Sequence, residues 1–255
     1  MIICIPSYNR YETIQQKSLN LLLNAGFKPQ EINVFVADEE QLLKYKENID
    51  KDISIIVAIK GLKEVREFIF NYYDEGEKLL CLDDDIEAVR ELYFTDDNKS
   101  KLRPVENLKE IVKLGFELCE KHSLKLWGLY PVPNNAFFME NQKEITCDYK
   151  FIIGNFFGCI NCKDMNKLSC PDLDDYERSI RSYLLYGGSV RFNHIAPKTN
   201  FKKNTGGAQA VELGDRENRL SKSRGILLNT YPDLLHLRKR KNDTNPMLKD
   251  QRNQK

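Results

Sequence analysis

Five carboxylates in two short stretches are the residues of this chain best suited to chemistry. Asp83, Asp84 and Asp85 stand in a row in LLCLDDDIEAV, directly behind an apolar run, and Asp174 and Asp175 open DLDDYERSIRSYLLYGG. Adjacent carboxylates repel one another, and packing needs none of them. Grouped hard oxygens suit Mg²⁺ or Mn²⁺, which commonly bridge one or two carboxylates to substrate phosphates. Read as the end of a strand, the triplet puts alternate side chains on one face, so Asp83 and Asp85 are expected to share the ion. An acidic turn is the structural alternative, and it explains one or two aspartates better than three. Asp174 and Asp175 precede a helical pattern, where carboxylates act as caps or as a general base for an acceptor hydroxyl. Asp175, directly before YERSIRSYLLY, is the favoured base.

The elements that must position these groups follow from periodicity. MIICIPSY, EINVFVAD, ISIIVAI and EKLLCLDDD read as buried strands. Between them, residues 12–25, EEQLLKYKENI and LKEVREFIFNYYDEG read as helices, the first and last stopped by Gly. Alternating strands and helices indicate a parallel sheet covered on both faces. In open sheets of that kind ligands bind beyond the carboxyl ends of the strands, where the triplet falls. The second half is mixed. PVENLKEIVKLGFELCEKHS reads as a helix with Pro at its first position, and AFFMENQKEITCDYKFIIGNFFGCINC as a hairpin leading into a strand. Residues 215–230 and 232–240 read as helices.

The chain has 255 residues and is 41 % hydrophobic, enough for one large α/β domain. Its seven cysteines are odd in number and irregularly spaced, so they do not form a disulfide framework. Cys159 and Cys162 form a single CxxC, and a zinc site needs a second pair; buried thiols are the expected role. No apolar run approaches the ~20 residues of a membrane span. The opening MIICIP reads as a strand rather than a leader, so the expected location is cytoplasmic. The net charge of +1 hides an asymmetry: residues 198–255 carry 14 Lys/Arg against 6 Asp/Glu, and residues 1–197 carry 25 against 32. A basic tail on an acidic body suggests a polyanionic partner, although a solvated helix face has the same composition.

IPSYNR on the first strand, GLKEVREFI before the fourth, LCLDDDI and LDDYERSIRSYLLYGG resemble, in that order, the GT-A glycosyltransferases. With SVRFNH and the later Gly-Gly, the series is most similar to the TET-associated and bacteriophage glycosyltransferases that modify hydroxymethylpyrimidines in DNA. The resemblance implies a Rossmann-like, mostly parallel sheet over residues 1–197. Residues 1–90 would be the nucleotide-sugar half, 91–197 the acceptor half, and 198–255 a basic extension packed on or flanking the domain.

It implies a nucleotide-sugar donor, a UDP-sugar, with Mn²⁺ or Mg²⁺ held by Asp83 and Asp85. Asp84 would face the donor ribose or sugar. Pro6, Ser7, Tyr8 and Arg10 would line the nucleotide, Tyr8 by stacking on the base. Arg66 would point to the donor, although the family pattern continues with Asn where this chain has Glu67. His194 and His236 are the candidates for a third metal ligand. A DNA acceptor would engage Lys202, Lys203, Lys222, Arg224, Arg238, Lys239, Arg240 and Lys241, and a flipped base would need aromatic neighbours such as Phe137, Phe138, Phe156 and Phe157. The loop KNTGGAQ would close over the donor or touch an acceptor phosphate. The rival readings are a glycan, lipid-linked sugar or protein acceptor; a nucleotidyltransferase, which IPSYNR without glycine disfavours; and a non-catalytic nucleic-acid-binding module.

Overall fold

The computed structural model describes residues 1–97, 99–134, 143–199, 213–238 and 245–249, and the side chains of 213–216 lie outside that description. Its centre is an eight-stranded sheet built from β1 (Ile2–Pro6), β2 (Ile32–Val36), β3 (Ser54–Val57), β4 (Lys78–Leu82), β7 (Leu126–Leu129), β8 (Ile145–Asp148), β9 (Phe156–Ile160) and β10 (Ser189–Phe192). The spatial order is β3-β2-β1-β4-β9-β7-β10-β8. The first four strands run parallel, as alternating strand and helix patterns require. β9 then enters antiparallel between β4 and β7. Because β2 and β4 flank β1 on opposite sides, the order reverses at β1/β4, and a crevice opens there beyond the strand ends.

β1 shows why these apolar runs form interior strands. Ile3 and Ile5 face one core layer and Cys4 the other, and all three are fully buried. The first layer is covered by a continuous helical run, α1 (Tyr11–Ile14), a π-helical turn at Gln15–Leu19 and α2 (Asn20–Asn24), by α3 (Glu39–Asn48), and by α5 (Leu108–Lys121). The second is covered by α4 (Leu62–Tyr72), which buries Val65, Ile69 and Phe70, and by α6 (Lys163–Asn166). Asp38 caps α3 by accepting the Gln41 amide at 2.9 Å. Trp127 is the largest fully buried side chain. It lies between Gly115 of α5 and Gly158 of β9, where a Cβ would approach its ring to 2.4 and 1.9 Å.

A smaller sheet joins β5 (Ile86–Phe94), β6 (Ser100–Pro104) and β11 (Ile195–Thr199) in the order β11-β5-β6. α7 (Asp174–Tyr186) crosses toward β10. The tail supplies α8 (Leu213–Thr230) and a two-stranded ladder of β12 (Leu235–Leu237) and β13 (Pro246–Leu248). Leu227 and Leu235 of the tail pack with Cys170 and Ile180 in a third core cluster. Among the described residues no helix is long and apolar enough to cross a membrane.

Several sequence expectations are corrected. Pro104 ends β6, and α5 begins at Leu108, because Pro lacks the N–H a helix interior needs but is tolerated at the end of an edge strand. β8 and β9 are not hairpin partners: β8 pairs with β10, and β9 with β4 and β7. Residues 235–237 are a strand, since their pairing partners are residues 246–248, beyond the reach of any helical period. The boundary expected at 197 falls inside β11. Phe156 and Phe157 are 0 % and 1 % exposed core residues and present no face to an acceptor, while Phe137 and Phe138 lie outside the described residues. All seven cysteines are free. Cys159 is buried and its thiol is pushed up to about 12, chiefly by that burial. Cys162 contacts the Tyr186 hydroxyl at 2.9 Å.

Replacing Gly158 with Ala forces a methyl into the Trp127 indole, which has no room to turn. Gly158→Ala is expected to cost about 2 kcal/mol or more, by overpacking. Urea unfolding checks this, and an unchanged midpoint would contradict the packing described.

Candidate functional site

The three aspartates form the turn joining β4 to β5, not an extended strand end. Strand alternation therefore does not set their directions; neighbouring side chains do. Asp84 is buried and turned toward β1, where it accepts from the Ser7 hydroxyl at 2.7 Å and from Arg10 Nη1 at 3.0 Å. The same nitrogen lies 3.6 Å from Asp85. Asp83 faces the other way and accepts from Arg66 Nη2 at 3.2 Å. Asp84, expected at the donor ribose or sugar, instead fastens the β1–α1 loop.

That loop is held from behind as well. The Tyr45 hydroxyl of α3 hydrogen-bonds Ser7 Oγ at 2.7 Å and accepts the Arg10 amide at 3.0 Å. Gln41 accepts the Asn9 amide and donates to its side chain. Asn9 sits at φ 55, a left-handed conformation that Asn tolerates. Tyr8 is half-buried, with the Lys60 ammonium 5.2 Å above its ring. Pro6 lines a small cleft with Arg66, Leu82, Asp83 and Gly154.

Arg66, on α4, joins the two halves. Beyond Asp83 it donates to the Gly154 carbonyl at 3.1 Å and forms a close ion pair with Asp174. The same Asp174 oxygen also accepts from Arg178 Nη2 at 2.8 Å. Arg178 is itself 1 % exposed and lies over the Phe157 ring at 4.5 Å. Asp175 is directed differently, accepting the Gly154 amide at 3.3 Å and the Tyr176 amide at 3.0 Å.

The charges are unequal to one another. Five carboxylates (Asp83, Asp84, Asp85, Asp174, Asp175) meet three guanidiniums (Arg10, Arg66, Arg178), leaving a formal −2. Burial opposes the charge on Arg66, but Asp174, Asp83 and Asp175 more than offset it and hold it charged. Burial would likewise raise Asp174, but Arg66 and Arg178 outweigh it and bring the carboxyl below its ordinary range. Asp175 is pushed up to about 6, first by burial and then by Asp174. Asp83 also rises, because crowding by protein atoms outweighs Arg66, yet 38 % of its side chain stays open to solvent. A divalent cation matches the uncompensated charge. Asp83 and Asp85 are the carboxylates able to hold it, since Asp84 and Asp174 are engaged on both oxygens or by two arginines. Asn155 supports the fit. Its carbonyl accepts the Asp83 amide at 3.0 Å, and its side-chain oxygen is buried with no hydrogen-bond partner.

His194 Nδ1 is 3.1 Å from the Glu144 carbonyl, and His236 is exposed on β12. Among the described residues no three His, Cys, Asp or Glu side chains come together as a preformed cluster. Of the basic candidates, Lys222 is exposed on α8 and Arg224 is ion-paired to Glu217 at 2.6 Å. Arg238 donates its amide to Asn245. Lys202, Lys203, Lys239, Arg240, Lys241 and all of KNTGGAQ lie outside the described residues.

Sequence reasoning missed four contributors. Arg178 stands four residues after Asp174, an i,i+4 spacing that could have found it. Gly154 stands where a Cβ would meet Arg66 Nη1 at 3.0 Å. Ser18, on the π-helical turn, donates to the Asp83 carbonyl at 2.7 Å and accepts the Ile86 amide at 2.9 Å, fastening both ends of the acidic turn. Neither Ser18 nor Asn155 carries any local signal.

No protein-family model and no curated protein sequence matches the chain. Solved structures do. GalNAc-T7, solved with UDP, GalNAc and Mn²⁺, aligns at TM-score 0.50 and 11 % identity, over 91 % of this chain and 49 % of its own. The 1–349 portion of TarS from S. aureus aligns at TM-score 0.46 and 16 % identity, over 77 % and 60 %. A putative nucleotide-diphospho-sugar transferase from Desulfovibrio desulfuricans G20 aligns at TM-score 0.44 and 11 % identity, over 90 % and 97 %. This chain thus spans about half the length of GalNAc-T7 and three fifths of the TarS portion. The likeness to GalNAc-T7 shows the fold: an α/β fold of the GT-A nucleotide-diphospho-sugar transferase type.

Two measurements check the electrostatics. Arg66→Met strands Asp83 and Asp174 without their shared cation and is expected to cost about 3–5 kcal/mol, read by urea unfolding. Asp175 binds its proton more tightly when folded than at its ordinary value of 3.8, so its ionisation lowers stability as pH rises through about 6. Asp175→Asn is therefore expected to melt above wild type at pH 8, with the gap closing toward pH 4. A variant that melts lower at pH 8 would reverse the assignment.

Proposed function

We propose that this protein is a divalent-cation-dependent glycosyltransferase that moves a sugar from a nucleoside-diphosphate donor to the hydroxymethyl group of a modified pyrimidine in DNA. One observation carries the transferase reading. An acidic turn lies at the β1/β4 switch point, a second carboxylate pair reaches it through Arg66, and the five carboxylates together exceed their three guanidiniums by a formal −2. The UDP, GalNAc and Mn²⁺ bound to the structurally similar GalNAc-T7 support a nucleotide-sugar donor and a divalent metal.

The residues divide the work. Asp83 and Asp85 would hold the cation, which when bound would offset the negative charge growing on the departing diphosphate. Tyr8 offers its ring to the nucleotide base. Ser7 and Arg10, locked by Asp84 and Tyr45, keep that loop in place. Asp175, poised near neutrality, takes the proton from the acceptor hydroxyl as the new glycosidic bond forms. Asp174 cannot take that role, because two arginines hold it ionised and engaged. The DNA acceptor rests on the order of the sequence motifs and on the basic tail.

The test is incubation with Mn²⁺, a panel of nucleotide sugars, and DNA with or without hydroxymethylpyrimidines, reading nucleoside masses after digestion. A sugar-sized gain confined to hydroxymethylated DNA is the expected result. Donor hydrolysis without any gain would remove the DNA acceptor and retain the transferase; no donor turnover would remove both. Asp83→Asn is expected to lower turnover roughly 100-fold or more while leaving DNA retention on a filter unchanged.

A further inference from the structure

The basic tail is joined to the candidate catalytic helix by contacts that a peripheral appendage would not need. Leu173, immediately before Asp174, sits in the left-handed region at φ 63 and ψ 30, and its side chain makes no capping hydrogen bond. A bulky residue keeps such a conformation only where its surroundings impose it. The front of the turn is held by Arg66 and Arg178 through Asp174. The back is held by α8. The Asp172 amide donates to Ser223 Oγ at 3.2 Å, and Arg219 Nε forms an ion pair with the Asp172 carboxylate across 3.3 Å, without a hydrogen bond. Ser223 is fully buried.

Two further ties join the tail, one to α7 and one to the residue after β8. Glu177, 0 % exposed, accepts the Ser169 amide at 2.8 Å and approaches the Tyr231 hydroxyl at 3.4 Å. Tyr149 donates to the Leu234 carbonyl at 2.9 Å. Leu173 itself packs against the cluster containing Leu227 and Leu235. Residues on both sides of the strained turn are thus fastened to the last forty residues of the chain.

We propose that α8 is a positioning element for the reaction: Ser223 and Arg219, acting through Asp172 and the left-handed Leu173, set the direction in which Asp174 and Asp175 leave the turn. This rests on the reading of Asp175 as the acceptor-side base. Arg219 is one of the basic residues of the tail, and its role here is internal; it is not a phosphate contact.

The experiment uses the full chain with Ser223→Ala, Arg219→Gln and the hydroxyl-preserving control Ser223→Thr. Amide hydrogen exchange over residues 171–178 is read beside thermal melting and the kcat and donor KM of transfer. The expected result is exchange at least fivefold faster in that window for Ser223→Ala and Arg219→Gln, with protection of β1 and β4 unchanged. A drop in kcat of about tenfold at unchanged donor KM should accompany it, as misplacement of a reacting group predicts. Ser223→Thr should restore both. Arg219→Gln, at a side chain 39 % exposed, keeps the test open if Ser223→Ala fails to fold. Wild-type exchange in the window for Arg219→Gln and for any folded Ser223→Ala would overturn the proposal, as would faster exchange with full kcat. A wild-type chain that turns over no donor would overturn the glycosyl-transfer reading, and with it the positioning role, even if exchange still reports the clamp.

Discussion

The guanidinium of Arg66 is the group on which the rest of the site depends. It is buried, and it touches the acidic turn at Asp83, the loop at the Gly154 carbonyl and the start of α7 at Asp174. Each contact comes from a different part of the chain. An arginine suits the position because its planar fork offers several donors in fixed directions, which a lysine does not. Removing such a group from water is costly, and the cost is offset only when its partners are ionised and well placed. Asp174, brought below its ordinary range by Arg66 and Arg178, meets that condition.

This constraint explains several neighbours that have no other evident reason to be what they are. Gly154 is a glycine because a Cβ would crowd both Arg66 and Asp175. Gly61 starts α4, the helix carrying Arg66, at φ 120, where a Cβ would also meet the Glu64 side chain. Ser18 fastens the acidic turn at both ends, and the π-helical turn at Gln15–Leu19 is the kind of local irregularity that recurs at functional sites.

The two carboxylates that open α7 have been driven apart in character by their surroundings. Asp174 is held ionised, and Asp175, one residue on, is pushed up to about 6. Burial raises both and both guanidiniums oppose it, but only Asp174 also accepts their hydrogen bonds, and its charge pushes Asp175 up further. Neighbouring groups separated in this way allow one to anchor while the other exchanges protons. The residual −2 opposes folding, and it is what a cation would relieve.

The sequence alone determined the layered parallel half. Its apolar runs are local, their period is fixed by backbone geometry, and Gly26 and Gly76 punctuate the first and last of its helical patterns. It also marked the chemically loaded positions, because adjacent aspartates have no packing use. It did not determine direction. Asp83, Asp84 and Asp85 look equivalent in a row, yet Arg10 and Arg66 turn them to opposite sides. β8 and β9 look like a hairpin until β10 and β4 claim them. Phe156 and Phe157 look available for a base until the sheet encloses them. Tertiary structure decided these points because each depends on partners tens of residues away, and a local pattern contains no information about which distant group will arrive to share a buried charge.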